Sequence, residues 1–182
     1  VAGGMPFGMA ALNGSLYVTD GNQEHVTQIG LDGRAQRILQ YPASNRVLTG
    51  ITPGPDGALY VAEFGPAPHK NGSALITRLT EDGQAADLAD GFVNAIDVAF
   101  DAAGHLHVLE FAAAGMRIGR SGRVLRVESD GQRTPLVEGL NYPTSLTFGP
   151  DNDLYVTVNG HQSDPGTGLV IRVPIDRKST RL

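Results

Sequence analysis

Between Tyr142 and Val156 apolar and polar positions alternate along the chain with a period of two. Leu146 and Phe148 come before, and Leu154 and Val156 after, the run Gly149-Pro150-Asp151-Asn152-Asp153. That alternation marks a strand with one face packed, and Gly, Pro, Asn and Asp are turn formers, so the stretch predicts strand, tight turn, strand. The pattern recurs in Pro6 to Val18, Leu48 to Val61 and Asn94 to Val108. Each copy closes on a Leu-aromatic-Val triplet: Leu16-Tyr17-Val18, Leu59-Tyr60-Val61, Leu106-His107-Val108 and Leu154-Tyr155-Val156. The triplets are 43, 47 and 48 residues apart. A repeat of about 40–50 residues built from strands is the signature of propeller blades. Helix-pair solenoids of similar period would place apolar residues at i, i+3 and i+4, which these units do not.

The expected fold is therefore all-β, a β-propeller with about four four-stranded blades at about residues 1–40, 41–90, 91–140 and 141–175. Blade one is expected to use Met9–Leu12, Ser15–Thr19, Val26–Leu31 and Ala35–Leu39; blade two Thr49–Pro53, Ala58–Glu63, Ala74–Thr80 and a weak outer strand Ala85–Leu88. Blade three is expected to use Ala95–Phe100, Leu106–Glu110, Val124–Glu128 and Thr134–Val137; blade four Ser145–Phe148, Leu154–Val158 and Leu169–Val173. Asn13-Gly14, Asp32-Gly33, Asp56-Gly57, Asp82-Gly83 and Asp130-Gly131 supply hairpin turns. The connections between second and third strands are long (65–72, 112–122 and 160–168) and share one face, which is where recognition is expected on a rigid scaffold. Four blades read as part of a larger ring, and an open ring would expose two apolar blade faces and limit solubility.

Composition narrows the chemistry. The 24 Gly and 11 Pro among 182 residues suit many short strands joined by turns. With no Cys there is no disulfide, thiol nucleophile or thiolate metal site. The formal charge of −5, without long runs of either sign, disfavours nucleic acid as a partner, and no apolar run is long enough to span a membrane. The pattern stops after Ile175. Asp176 to Leu182 has a back-translation, GAT CGG AAG AGC ACA CGT CTG, that matches a common sequencing adapter, so 176–182 is read as an artefact outside the fold.

Two residues past each triplet stands an acid, Asp20, Glu63 or Glu110; blade four has Val158 there, with Asn159 beside it. Strand alternation aims these side chains with the triplet Leu and Val, at the mouth of the loop face. Capping a loop by accepting backbone N–H bonds is the commoner role for such an acid, particularly in a repeat. The functional reading is a polar-ligand or hard-cation site. Gly115 to Gly122 carries Arg117 and Arg120, which suit an anionic group, although a flexible loop explains the composition equally. His25, His69 and His161 fall in the long loops and are expected to be solvated and far apart. His107 fills an aromatic slot and is expected to be packed, and His105 to be solvated.

The hairpin from Tyr142 to Val156, together with Gly91-Phe92-Val93-Asn94-Ala95-Ile96-Asp97 leading into blade three, resembles the ScyD/ScyE family of propellers associated with scytonemin biosynthesis gene clusters. The resemblance covers nearly all of residues 1–175. It implies a six-bladed, periplasmic or extracellular protein with no established catalytic set. Binding of a small molecule, glycan or protein through the loop face is then expected, with no cofactor required. The related calcium-dependent lactonases of the gluconolactonase kind, which hold metal near the starts of inner strands, imply a hydrolase alternative with Ca²⁺. Of the starts here, Asn94 with Asp97 nearby matches such a ligand supplier.

Overall fold

The computed structural model describes residues 3–42 and 45–175, so 176–182 lies outside the described residues. Fifteen strands form four antiparallel sheets, each taken in chain order from the inside outward. The first sheet holds β1 (Pro6–Leu12), β2 (Ser15–Asp20), β3 (His25–Gly30) and β4 (Ala35–Gln40). The second holds β5 (Leu48–Pro53), β6 (Leu59–Glu63), β7 (Ala74–Leu79) and β8 (Ala85–Phe92). The third holds β9 (Ala95–Phe100), β10 (Leu106–Glu110), β11 (Gly122–Val127) and β12 (Arg133–Leu140). The fourth has β13 (Ser145–Phe148), β14 (Leu154–Val158) and β15 (Leu169–Val173). Inner strands β1, β5, β9 and β13 stand side by side around an axis, which defines a β-propeller.

Turn chemistry explains the sheets' regularity. Asn13 and Gly14 both take positive φ, 47° and 77°, as the two-residue β1–β2 hairpin requires. Six other hairpins share one design. The N–H of the first residue bonds the carbonyl four residues on, the fourth residue's N–H returns to the first carbonyl, and the fourth residue has positive φ. Gly33, Gly57, Gly83, Gly104, Gly131 and Asn152 fill that left-handed position. This is why the Asp-Gly pairs recur.

Between sheets lie three apolar cores. Tyr17, Val26, Leu48 and Val61 pack between blades one and two; Ala62, Ile76, Phe92 and Val108 between two and three; Leu109, Phe111, Leu146 and Val156 between three and four. Hydroxyls staple the inner strands across blades: Thr19 Oγ1 donates to the Thr49 carbonyl at 2.6 Å, and Thr49 Oγ1 to the Ala95 carbonyl at 3.3 Å.

The strands follow the alternation closely, although β1 begins at Pro6 rather than Met9 and β11 at Gly122 rather than Val124, and two departures bear on burial. The outer strands β8 and β12 run to Phe92 and Leu140, past the expected Leu88 and Val137, because Phe92 and Leu140 turn inward and are buried after largely exposed stretches. In blade one, Leu16 is 36% exposed and Val18 half-buried, whereas their counterparts Leu59, Val61, Leu106 and Val108 are buried. Among the described residues no sheet packs on that face of blade one, so the same pattern buries less there.

Candidate functional site

The polar residues that follow the triplets perform one shared task. Asp20 accepts the Met5 N–H with both oxygens at 3.0 Å, and its Oδ1 also takes the N–H groups of Asn22 and Gln23. Burial opposes its ionisation, but these N–H bonds outweigh that and hold its carboxyl below the usual carboxylate range. Glu110, fully buried, accepts the Val93 N–H at 2.8 Å and Arg123 Nε at 2.5 Å. Glu63 accepts Thr77 Oγ1 at 2.6 Å and the Arg46 guanidinium at 3.2 Å, and burial pushes its carboxyl up. Asn159 donates its backbone N–H to the Asn141 carbonyl and accepts Asn141 Nδ2 at 2.9 Å. Met5, Arg46, Val93 and Asn141 each lie just before their blade's inner strand. All four side chains therefore latch the segment leading into their own blade. These bonds fit the capping role weighed for Asp20, Glu63, Glu110 and Asn159, and none of the four lines the axial cavity.

That cavity, about 540 Å³, is walled by the four inner strands at residues 7–10, 50–53, 97–99 and 144–147. Asp97 is the one titratable side chain on its wall. The strand registers pair Ile51, Val98 and Leu146 with the triplet valines, which makes Gly50, Asp97 and Ser145 equivalent positions. A Cβ on Gly50 would lie 1.9 Å from Asp97 Oδ1, so the carboxyl occupies space that glycine leaves. Asp97 Oδ1 accepts the Val98 N–H at 2.9 Å; Oδ2 accepts Ser145 Oγ at 2.8 Å and the Leu146 N–H at 2.9 Å. Burial pushes its pKa up to about 6, against the pull of those three bonds. It has no ion-pair partner among the described residues. A carboxyl titrating near neutrality at a polar cavity is suited to exchanging a proton or reading a hydroxyl.

Asn94 begins the lead-in to β9, with φ of 52° and 2% exposure, and neither Oδ1 nor Nδ2 has a hydrogen-bond partner. Buried amides are rarely left so, and each unmade bond costs about 1–3 kcal/mol. A calcium ion takes roughly six to eight oxygens. Here Asn94 offers one free oxygen, and Asp97 Oδ1 accepts a single hydrogen bond; among the described residues no group of three or more His, Cys, Asp or Glu is placed to hold a metal.

On the long-loop face the arrangement departs from expectation. His161 stays exposed as expected and His69 is half-buried, but both rings lie on one aromatic layer. Phe64 meets His69 at 5.3 Å and Phe111 at 5.8 Å; Phe111 meets Tyr142 at 5.2 Å; His161 lies 5.3 Å from Tyr142 and 5.9 Å from Phe111. The register makes Tyr142 the counterpart of Asn94, a signal available from aligning the blades. His25 belongs to β3 and is buried, with Nδ1 unpartnered, because its strand begins one residue earlier than the apolar pattern suggests. His107 is packed as expected, 4.7 Å from Phe148 with Nδ1 on the His105 carbonyl, and burial lowers its pKa. His105 is paired with Asp101 at 2.9 Å.

The loop carrying Arg117 and Arg120 is tied down. The Arg120 N–H bonds Asn141 Oδ1 at 3.2 Å, Ser121 Oγ donates to the Ile118 carbonyl at 2.7 Å, and Met116 packs on the core that contains Phe111 and Tyr142. Both arginines are exposed, with no side-chain partner among the described residues.

No protein-family model matches the chain, nor does any curated protein by sequence. Solved structures match by fold. A gluconolactonase from Xanthomonas campestris superposes with a TM-score of 0.70 at 22% identity over 94% of this chain and 59% of its own. A catalytically inactive virginiamycin B lyase from Staphylococcus aureus, solved with quinupristin, gives 0.62 at 20% over 96% and 58%. A chain of the nidogen/laminin complex gives 0.65 at 22% over 84% and 55%. These are propellers, and at such identities the likeness shows the fold. The chain spans about three-fifths of the gluconolactonase and lyase lengths. No helix among the described residues is long and apolar enough to cross a membrane.

Proposed function

We propose that this propeller binds a small polar molecule on its axis, with Asp97 as the group that reads it. The observation that carries this reading is a carboxyl without a cationic partner, displaced to about pKa 6, on the wall of the axial cavity. Enclosed carboxylates ordinarily sit on a cation or lose their charge. Thr52, Thr144, Ser145 and Thr147 line the same cavity with hydroxyls that match a polyhydroxylated ligand. Calorimetric titration with D-glucose, myo-inositol and D-glucono-1,5-lactone tests the reading. At least one should bind, about tenfold more weakly to Asp97→Asn, the loss expected for one hydrogen bond to a charged group. Absence of heat with all three at millimolar concentration, or equal affinity in the variant, refutes it.

A second reading, lactone hydrolysis, is favoured by the same near-neutral carboxyl. Asp97 would take a proton from a water attacking the ring carbonyl, the acyl–oxygen bond would break, and the proton would pass to the departing alkoxide to leave a hydroxy acid. Acid release above the spontaneous rate in a pH-stat, lost in Asp97→Asn, separates hydrolysis from binding alone. The calcium dependence implied by the lactonase resemblance would use Asn94 and Asp97, and acid release measured with and without added Ca²⁺ tests it separately. Membership of the ScyD/ScyE family rests on the Tyr142–Val156 hairpin and the 91–97 lead-in, and the axial reading does not depend on it.

A further inference from the structure

We propose that the loop face of blades three and four is an anion-binding site formed by Arg117, Arg120 and His161, for a small ligand bearing a carboxylate or phosphate. The inference goes beyond the axial reading and uses none of its residues.

The first support is charge pairing. Among the described residues, Arg34, Arg46, Arg78, Arg123, Arg126 and Arg172 each sit on a carboxylate. Arg133 lies over the Phe92 ring, and Arg37 bonds Gln23 and Gln40. Of the described arginines, Arg117 and Arg120 alone are unengaged, in a chain with 19 acidic residues against 14 basic ones. An acidic protein whose other described guanidiniums are engaged, six of them on carboxylates, leaves two free within one loop, which presents two uncompensated positive charges there.

The second support is that the spot is built. Ala113 N–H bonds the Ser121 carbonyl at 3.1 Å, Gly115 N–H the Ala112 carbonyl at 3.0 Å and Ile118 N–H the Gly115 carbonyl at 2.9 Å, so the loop is closed on itself. A Cβ on Gly119 would meet Asn141 Oδ1 at 2.7 Å and Tyr142 at 3.2 Å, so the backbone beside Arg120 rests directly on the Asn141–Tyr142 hub. The neighbouring loop joins the same hub. Asn141 Nδ2 donates to Ser163 Oγ, Tyr142 OH donates to Gln162 Oε1 at 3.1 Å, and exposed His161 meets the Tyr142 ring edge-on. One pair of residues thus holds both loops side by side, the one that carries Arg117 and Arg120 and the one that carries His161. Planar guanidinium forks suit oxyanions, and a fixed loop lowers the entropy lost on binding. The net charge of −5 repels extended polyanions, so the match is to a small anion.

The test uses the full chain at low ionic strength with three probes: D-glucuronate, inorganic phosphate and uncharged D-glucose, followed by amide shifts of residues 112–121 and 160–168. Glucuronate or phosphate should shift these residues, with affinity falling as salt rises. Binding of glucuronate alone would identify a sugar acid and binding of phosphate alone a phosphorylated ligand; both support the site. Arg117→Ala/Arg120→Ala should weaken the anion roughly tenfold or more and flatten its salt dependence, while Asp97→Asn leaves it unchanged. Shifts by glucose equal to those by the anions, no shift with either anion, or an unaltered double variant would overturn the proposal. Both arginines are exposed, so the variant's melting temperature should match the wild type and exclude misfolding as the cause.

Discussion

Asp97 makes the most specific demand on solution behaviour of any single residue. Its carboxyl has an ordinary pKa of 3.8 and is held at about 6 in the folded chain. The folded state therefore binds the proton more tightly, and between those values the native protein carries more protons than the unfolded one. The stability this group contributes is fully present below about pH 3.8 and is lost as pH rises through about 6. Two units correspond to about 3 kcal/mol, an upper figure because the carboxyl is partly open to the cavity. Urea unfolding from pH 4 to 7 should show the wild type losing more stability with rising pH than Asp97→Asn. Parallel curves would mean that Asp97 is not the displaced group. The residue was legible in the sequence as an acid near an inner-strand start. Its setting was not, because Gly50 and Ser145 lie 47 and 48 residues away and become its neighbours only when the strands pack.

At the scale of the strand and its lead-in, the latch is the recurring device. Glu110 joins the buried Val93 N–H and the Arg123 guanidinium, so Glu110→Ala strands one donor and one cation together. Because Arg123 keeps 32% of its side chain exposed, the loss should fall below the range for a fully buried pair, at about 2–4 kcal/mol. Asp20→Ala should cost less, about 1–3 kcal/mol, because it removes N–H bonds at a part-buried site. Equilibrium denaturation of the two variants checks the ordering, and equal losses would deny Glu110 its larger role. The strands themselves were readable because alternation and Asp-Gly turns are local signals. The latches were not, since an acid at a strand end looks the same whether it holds backbone or ligand, and its partners, a Val93 N–H or the Arg46 side chain, leave no mark in a triplet pattern. Aligning the blades would have placed Tyr142 opposite Asn94, yet the contact of His161 with the Tyr142 ring depends on the loop as a whole.

For the whole molecule, the repeat predicts equal blades and the structure shows unequal surroundings. Three inter-blade cores are dry, while the outward faces of the first and last sheets are not covered by any described residue. Phe7 is 44% exposed, Met9 66% and Leu16 36% on one side, with Leu169 at 58% and Val170 at 67% on the other. Apolar clusters of this kind drive association, since each large side chain removed from water is worth about 1.5–3 kcal/mol. The 182-residue chain should therefore self-associate. Sedimentation velocity should give a mass that rises with concentration, and Met9→Lys with Val170→Lys should shift the population toward monomer. Their effect on the melting temperature should be small, because neither side chain belongs to an inter-blade core. A wild-type chain that stays monomeric across the accessible concentrations would show that these faces are tolerated in water. A double variant that unfolds instead would show that the two side chains pack more than their exposure indicates. Association relieved by the two lysines would locate the contact on the flanks, one of which borders the axial cavity at Met9, and leave the arginine loop free for ligand.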